Sequence, residues 1–200
     1  PIYVAAQGAK SLRLAGQIGD GVVVHSGLTP DLVADAARAV RQEAHDAGRN
    51  AASLDIWALA KANVADDHAQ AIDDIKTGIA ASGYHGFISY EGKRVPPEMV
   101  PRIEELKRRY VAVEHQQPGR TTNSRLLDEL GLADFLADRF AVVGTPEDCR
   151  RKLRSIRDAG VHNVVFTGVA PDVERLIRRM GTEVIAALKR DSTEPSRKSP

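Results

Sequence analysis

PIYVAAQGAKSLRLAGQIGDGVVVHS, Pro1 to Ser26, decides the fold. Ile2 to Ala6 is a short apolar run with strand character, and Gln7 to Lys10 is a tight turn of small residues that opens a helix. Leu12, Ala15 and Ile18 then recur at helical spacing, with Leu14 expected to pack one turn before Ile18. Gly19-Asp20-Gly21 ends that helix. Val22 to His25 is a second strand with no polar residue until its end, as in a strand covered on both faces. Strand, helix and strand in so short a span make a βαβ unit with parallel strands.

The first turn carries the chemistry. Ala5, Ala6, Gly8 and Ala9 have little or no side chain, so backbone N–H groups there can approach a ligand. The following helix aims its positive end at the same point, and Lys10 adds a mobile cation. This is a phosphate-sized gap, although close packing of strand against helix uses the same small residues, and both readings stay open.

Further along, Thr29-Pro30-Asp31 combines a hydroxyl N-cap, proline at the first helical position and a first-turn carboxylate. Val33, Ala36 or Ala37, Val40 and Ala44 line one face of that helix as far as Gly48. Asp55 to Ala62 is a third strand, with Trp57, Leu59 and Lys61 on one face and Ile56, Ala58 and Ala60 on the other. Asp66 or Asp67 caps a helix whose Ile72, Ile75 and Ile79 stripe is expected to end at Gly83. Tyr84 to Pro101 is aperiodic and reads as a loop. Met99, Ile103, Leu106 and Tyr110 restore helical spacing, and a polar break from Gln116 to Ser124 precedes a helical piece at Leu126, Leu127 and Leu130.

The last unit opens with Gly144-Thr145-Pro146-Glu147-Asp148, where Asp148 occupies the capping-box position. Cys149, Leu153 and Ile156 form its buried stripe, Asp158-Ala159-Gly160 closes the helix, and Val161 to Thr167 is a fourth strand. Val173, Leu176, Ile177, Met180, Val184 and Leu188 define a final helix, so that residues 1–190 form one domain and 191–200 a disordered tail. Four strands alternating with helices make an α/β chain. Periodicity alone does not choose between a doubly wound sheet and half of a (β/α)8 barrel.

Composition narrows the function. Lys plus Arg (28) balance Asp plus Glu (27), so nucleic acid is not an expected partner. No apolar run is long enough to span a bilayer and no basic n-region with a following h-region marks a signal peptide, so no membrane partner is expected. The single cysteine, Cys149, fits a cytoplasmic protein and, lying on a helix stripe, is a packed thiol rather than a nucleophile. His25, His45, His68, His85, His115 and His162 are scattered, so no metal is expected, and neither a G-x-S-x-G elbow nor a Walker loop is present. The apolar first strand at Pro1, with no Met before it, suggests the C-terminal part of a longer protein.

The run from Pro1 to Val24 resembles the segment that luciferase-like flavin-dependent oxidoreductases carry as their fifth strand, its helix and the sixth strand. Phe140 to Val169 is similar to their last helix and eighth strand, in the same order. The opening run is particularly similar to the branch containing coenzyme F420-dependent methylenetetrahydromethanopterin reductase, with Ala9 where that branch often has proline.

The resemblance implies a (β/α)8 TIM barrel of which this chain is the C-terminal half, strands five to eight in about four βα units, with a helical insertion before the last strand. It implies FMN or coenzyme F420 as cofactor, with Ala6, Gln7, Gly8, Ala9 and Lys10 matching the turn that contacts the cofactor's tail; His25 and Ser26, by their place at the end of the second strand, are candidate further contacts. The reaction would be hydride transfer to, or monooxygenation of, a small organic substrate. Catalytic residues are not assigned and would lie in the N-terminal half, the expected partner, and the complete protein would be a homo-oligomer.

Several of these residues have plainer readings. His25 also suits a strand-end histidine satisfied by a neighbouring loop. Lys61 either reaches a polar ligand or snorkels past the rim. Arg120 and Arg139 either meet an acidic group or are solvated. The rival readings of the whole are an incomplete, non-catalytic βα domain and a phosphate-ligand-binding βα protein. A half-barrel on its own exposes two sheet edges and its inner face, and is expected to dimerise or aggregate.

Overall fold

Five parallel strands form one sheet in a computed structural model that describes residues 1–115, 117–167 and 170–193. They are β1 (Tyr3–Ala6), β2 (Gly21–Val24), β3 (Asp55–Val64), β4 (Ala141–Gly144) and β5 (Asn163–Phe166). Helices α1 (Ala9–Ile18), α2 (Pro30–Asp46) and α7 (Pro146–Asp158) are the crossovers beside the sheet. Between β3 and β4 come α3 (His68–Gly86), α4 (Val100–Arg109), α5 (Thr122–Glu129) and α6 (Ala133–Phe140), the expected helical insertion. After β5 come α8 (Val173–Arg179), a π-helical stretch (Met180–Ile185) and α9 (Ala186–Thr193).

β3 organises the sheet. Its first half pairs with β2, Gly21 opposite Asp55 through Val24 opposite Ala58, and Trp57 to Ala60 pair with β5. Its last residues, Lys61 to Val64, pair with β4. The alternation read from the sequence is the one observed: Ile56, Ala58, Ala60, Ala62 and Val64 are buried, packed in one core with α1, α2, α7 and the final helix. Trp57, Leu59 and Lys61 point the other way and are only half-buried. On that second face Asp55 accepts hydrogen bonds from Tyr3 Oη (2.5 Å), Trp57 Nε1 (2.7 Å) and Asn163 Nδ2 (2.8 Å), tying β1, β3 and β5 together. A second core, with Ile72, Ile79, Ile103, Leu106, Leu136 and Phe140, fills the helical insertion.

The structure differs from the sequence reading at several places. The described residues hold five strands, not four. β4 is too short for a periodic signal, but its residues are all buried and it pairs with the end of β3. α3 runs through Gly83 and carries Tyr84 and His85 within it, so the expected loop begins only after Gly86. Gly83 is a close-packing residue, because a Cβ there would lie 2.7 Å from Leu136 Cδ1. Leu14 and Ile18 are exposed (47% and 63%) rather than packed.

Thr29 stands at the N-cap of α2, yet its hydroxyl donates to the Asp31 carboxylate (2.6 Å) and makes no amide cap. Asp67, rather than Asp66, caps α3. α9 continues to Thr193, three residues into the expected tail. The rest of that tail, 194–200, lies outside the described residues, as do Gln116 in the polar break and 168–169 at the end of the second resembling stretch.

Candidate functional site

The turn after β1 is assembled from both ends of the βαβ unit. Ala6 is buried, and its carbonyl accepts the His25 amide (2.8 Å). Gly8 is the N-cap of α1 and has no side chain to cap with, so the helix caps itself from within. The Ser11 hydroxyl accepts the amides of Gln7 and Gly8 (3.2 Å each) and donates to the Gly8 carbonyl (3.0 Å). Ser26 donates its hydroxyl to the Gln7 carbonyl (3.2 Å), bracing the first turn with the end of β2. The structure therefore brings Ala6, Gln7, Gly8, Ala9, Lys10 and Ser26 to one place.

Two observations give this turn the character of a site. The amides of Ala9, Lys10 and Ser11 form the first turn of α1 and have no carbonyl of their own helix to bond. Gly8 has φ −132° and ψ 165°, an extended conformation open to any residue, and a Cβ added there would meet nothing within 4 Å. Neither the backbone nor the packing of the described residues requires glycine at position 8, and the open space beside it adjoins the start of α1. Lys10 is exposed and has no hydrogen bond or ion pair among the described residues.

His25 stands just past β2 and a step away from this turn. Its ring lies against Phe140, centroids 5.2 Å apart and tilted by 47°, with no side-chain hydrogen bond among the described residues, so no loop satisfies it. Burial, then the charges of Lys61, Lys93 and His85, push its pKa down to about 4, so the ring is neutral at pH 7. Lys61 is half-buried and also lacks a hydrogen bond or ion pair among the described residues, and burial lowers its pKa.

Arg139, one of the two arginines singled out, is buried in the last turn of α6. It bonds the carbonyls of Ser26 (3.3 Å) and Lys93 (2.6 Å) and lies over the rings of Phe87 and Phe140. Burial brings it down to about 10, so it stays charged at neutral pH behind the Ser26-Gly27 turn. Arg120 is exposed. Cys149 is a packed thiol, buried, donating to the Asn63 carbonyl (3.7 Å) and pushed up to about 12 by burial.

Sequence reasoning missed the groups that α3 and the following segment bring beside Lys61. Asn63 bonds the Ala71 carbonyl and Asp74, and a Cβ at Gly78 would lie 3.8 Å from Lys61 Cδ, so α3 runs along the face of β3 that carries Lys61. Two turns further on is His85, whose ring lies 5.1 Å from that of His115. Tyr84 stacks on Tyr110 at 4.3 Å, and Tyr110 Oη is 2.9 Å from His115 Nδ1. The signal was available in the continued spacing of Gly78, Ser82 and His85, masked by reading Gly83 as a stop.

The cleft of about 400 Å³ between α3, α6 and α7 lies elsewhere. Most of its charges are paired, Lys152 with Asp138 and Arg151 with Asp148, which makes it a solvated ion-pair groove. Among the described residues no group of three or more His, Cys, Asp or Glu side chains could hold a metal ion, and no helix is long and apolar enough to cross a membrane.

A strand, an uncapped small-residue turn and a capped α7 unit, in that order on a parallel sheet, are matched by a family model for luciferase-like monooxygenases over residues 1–163. The chain belongs to the luciferase-like monooxygenase family. Its relatives include the 5,10-methylenetetrahydromethanopterin reductase of Methanolobus tindarius, 29% identical over 190 residues that cover 92% of this chain and 53% of that protein. The F420-dependent glucose-6-phosphate dehydrogenase of Nakamurella multipartita is 28% identical, covering 94% and 48%.

Among solved structures, the coenzyme F420-dependent tetrahydromethanopterin reductase of Methanopyrus kandleri superposes with a TM-score of 0.65 at 26% identity, over 94% of this chain and 51% of that one. A long-chain alkane monooxygenase shares the fold, with a TM-score of 0.56 at 14% identity. This luciferase-like chain spans about half the length of the curated relatives it matches. The expected resemblance, including its reductase branch, is borne out.

Proposed function

We propose that this chain is the C-terminal half of a luciferase-like (β/α)8 barrel and holds the anionic tail of coenzyme F420 at the turn Ala6–Lys10. The observation that carries the reading is the vacant space beside Gly8, at a helix start whose first amides have no partner in their own helix. F420 is preferred to FMN because the relatives at 26–29% identity include proteins named as F420-dependent. The residues present fit such a tail: amides of Ala9, Lys10 and Ser11 for its oxygens, the α1 dipole and Lys10 for its charge, and Ser26 to hold the turn in place. His25, at the end of β2, flanks the cofactor on the face where barrel enzymes place their chemistry.

When bound, the deazaflavin supplies hydride transfer to or from a small organic substrate, and FMN in the same place would supply monooxygenation. The chain's own residues bind and orient the cofactor, exclude water with the helical insertion, and present the inward face of the sheet. The half-barrel reading is supported by the half-length match to relatives and by apolar surface at both flanks. Leu14 and Ile18 are exposed on α1. A groove of about 600 Å³ beside β5 is lined by Leu153, Val161, Val164, Phe166, Ile185 and Leu188. The partner for these surfaces is the N-terminal half of the barrel, in a cytoplasmic and oligomeric enzyme.

The test is Gly8→Val in this chain combined with the N-terminal half of the barrel. A valine suits the observed φ and its Cβ meets nothing within 4 Å, so stability to thermal unfolding should fall by no more than the roughly 1 kcal/mol of a weakened helix cap. Its methyls enter the cofactor gap, so F420 affinity by fluorescence titration should fall at least tenfold. Equal affinity of the two proteins for both F420 and FMN would overturn the reading.

A further inference from the structure

We propose that the rim at the C-terminal ends of β2 and β3, formed by His25, Lys61, His85 and His115, binds an anionic group of the substrate, a carboxylate or a phosphate. The inference rests on the reading that this end of the sheet is where the substrate meets the cofactor, but it concerns a second anion site, separate from the turn at Lys10.

The geometry comes first. Lys61 passes alongside Gly78 of α3, and His85 lies seven residues, two helical turns, further along the same face. The rings of His85 and His115 are in edge contact at 5.1 Å. Phe140 links this pair to His25: its ring packs on that of His25, and its Cζ would lie 2.6 Å from a Cβ at Gly86, the residue after His85. The four basic side chains thus sit around one stretch of rim, drawn from β2, β3, α3 and the segment after α4.

The rim is electrostatically one-sided. The titratable groups that act on His25 are Lys61, Lys93 and His85, and those that act on His115 are His85 and Lys61; all are basic side chains and none is an acid. The acids nearby are occupied. Glu114, which faces Tyr110, accepts the Asn123 amide (3.0 Å), and Asp74 is held by Asn63 and Gln70. Lys61 has no counter-ion among the described residues, and the Ser82 hydroxyl, on the face of α3 between Gly78 and His85, is buried without a partner. Taking a lysine out of water without pairing it is costly, and His25 and His115, both held down by burial, can each gain a proton when a negative group arrives. Tyr84 and Tyr110 form an aromatic wall next to the pair and leave a compact polar target rather than an open basic surface.

The probe is inorganic phosphate, with acetate in a parallel series, added to the full chain while the histidine ring signals are followed by NMR across pH 4 to 8. No cofactor is present, so failure here leaves the F420 reading to its own test. The expected result is a saturable shift in which the protonation midpoints of His25 and His115 rise by about one pH unit, a tenfold gain in proton affinity. The anion acting at the lower concentration identifies the group. Lys61→Gln should raise the concentration needed at least tenfold, and His85→Ala, at an exposed position that does not endanger folding, should do so severalfold. Lys10→Ala should leave it unchanged. Absence of a saturable shift with both anions overturns the proposal. So does a shift that survives Lys61→Gln and disappears in Lys10→Ala, which would put the anion at the α1 turn.

Discussion

Helices α1 and α7 both begin just after a parallel strand of the same sheet, and their first turns are closed in opposite ways. At α7 the cap is made by the chain's own side chains. Thr145 Oγ1 accepts the Asp148 amide (3.3 Å), and the Asp148 carboxylate takes the Thr145 amide (3.0 Å) and hydroxyl (2.8 Å), with His68 at 3.1 Å and Arg151 beside it. At α1 the cap residue has no side chain, an added Cβ would meet nothing within 4 Å, and among the described residues the side chain that accepts its amide is Ser11. A helix start satisfied by its own side chains is a structural joint. One left open offers its amides and dipole to something from outside.

The largest effect should come from the glycines that precede the two helices. Gly144 sits at φ +124°, and a Cβ there would lie 2.6 Å from His68 Nδ1 and 2.7 Å from Asp148 Oδ2. Gly144→Ala should therefore cost about 3 kcal/mol, combining backbone strain with overpacking. Gly8→Ala, by contrast, should change stability by less than about 0.5 kcal/mol, since it meets nothing and needs no special backbone. Equilibrium unfolding in denaturant measures both, and similar losses at the two positions would abolish the contrast.

Acid should distinguish the two starts next. Burial alone would raise the Asp148 carboxyl, but the bonds from Thr145, Arg151 and His68 outweigh it and hold the pKa well below the usual carboxylate range. A carboxyl depressed in the folded state stabilises it fully above its unfolded pKa of about 4 and loses that contribution as pH falls toward the folded value. Asp148→Asn should lower stability by about 1 kcal/mol at pH 7, as for a lost cap. The gap between wild type and variant should shrink as the pH drops below about 4. A gap that stayed constant with pH would mean that Asp148 acts through packing, not through its charge.

The same contrast explains what was legible in the sequence. Capping chemistry is local, so Thr145, Asp148 and the closing Asp158-Ala159-Gly160 could be read from neighbouring letters and are found in place. The alternation of β3 was equally plain, because Ile56, Ala58 and Ala60 repeat at the strand period. What was hidden depends on contacts distant in sequence. Gly83 looks like a stop and is a packing residue against Leu136. Arg139 looks like a surface arginine and is buried over Phe87 and Phe140. β4 has only four residues and is recognisable only by the strand beside it. The small-residue turn was visible as a candidate; that its glycine is needed by nothing within the chain could be learned only from the space around Gly8.

The smallest expected effect probes that turn from the inside. Ser11→Ala removes the hydroxyl that accepts the amides of Gln7 and Gly8, both partly exposed, so water replaces most of what is lost and the cost is about 0.5–1 kcal/mol. For a chain of this size that lowers Tm by about 2 °C. The two freed amides join those of Ala9 and Lys10 in facing the gap, where a bound anion supplies the missing acceptor. Phosphate should then raise the Tm of Ser11→Ala by more than it raises that of the wild type, even though the rim at Lys61 contributes equally to both. An identical phosphate response in the two proteins, measured by calorimetry at constant ionic strength, would show that these amides do not face an anion and that α1 is closed in the same sense as α7.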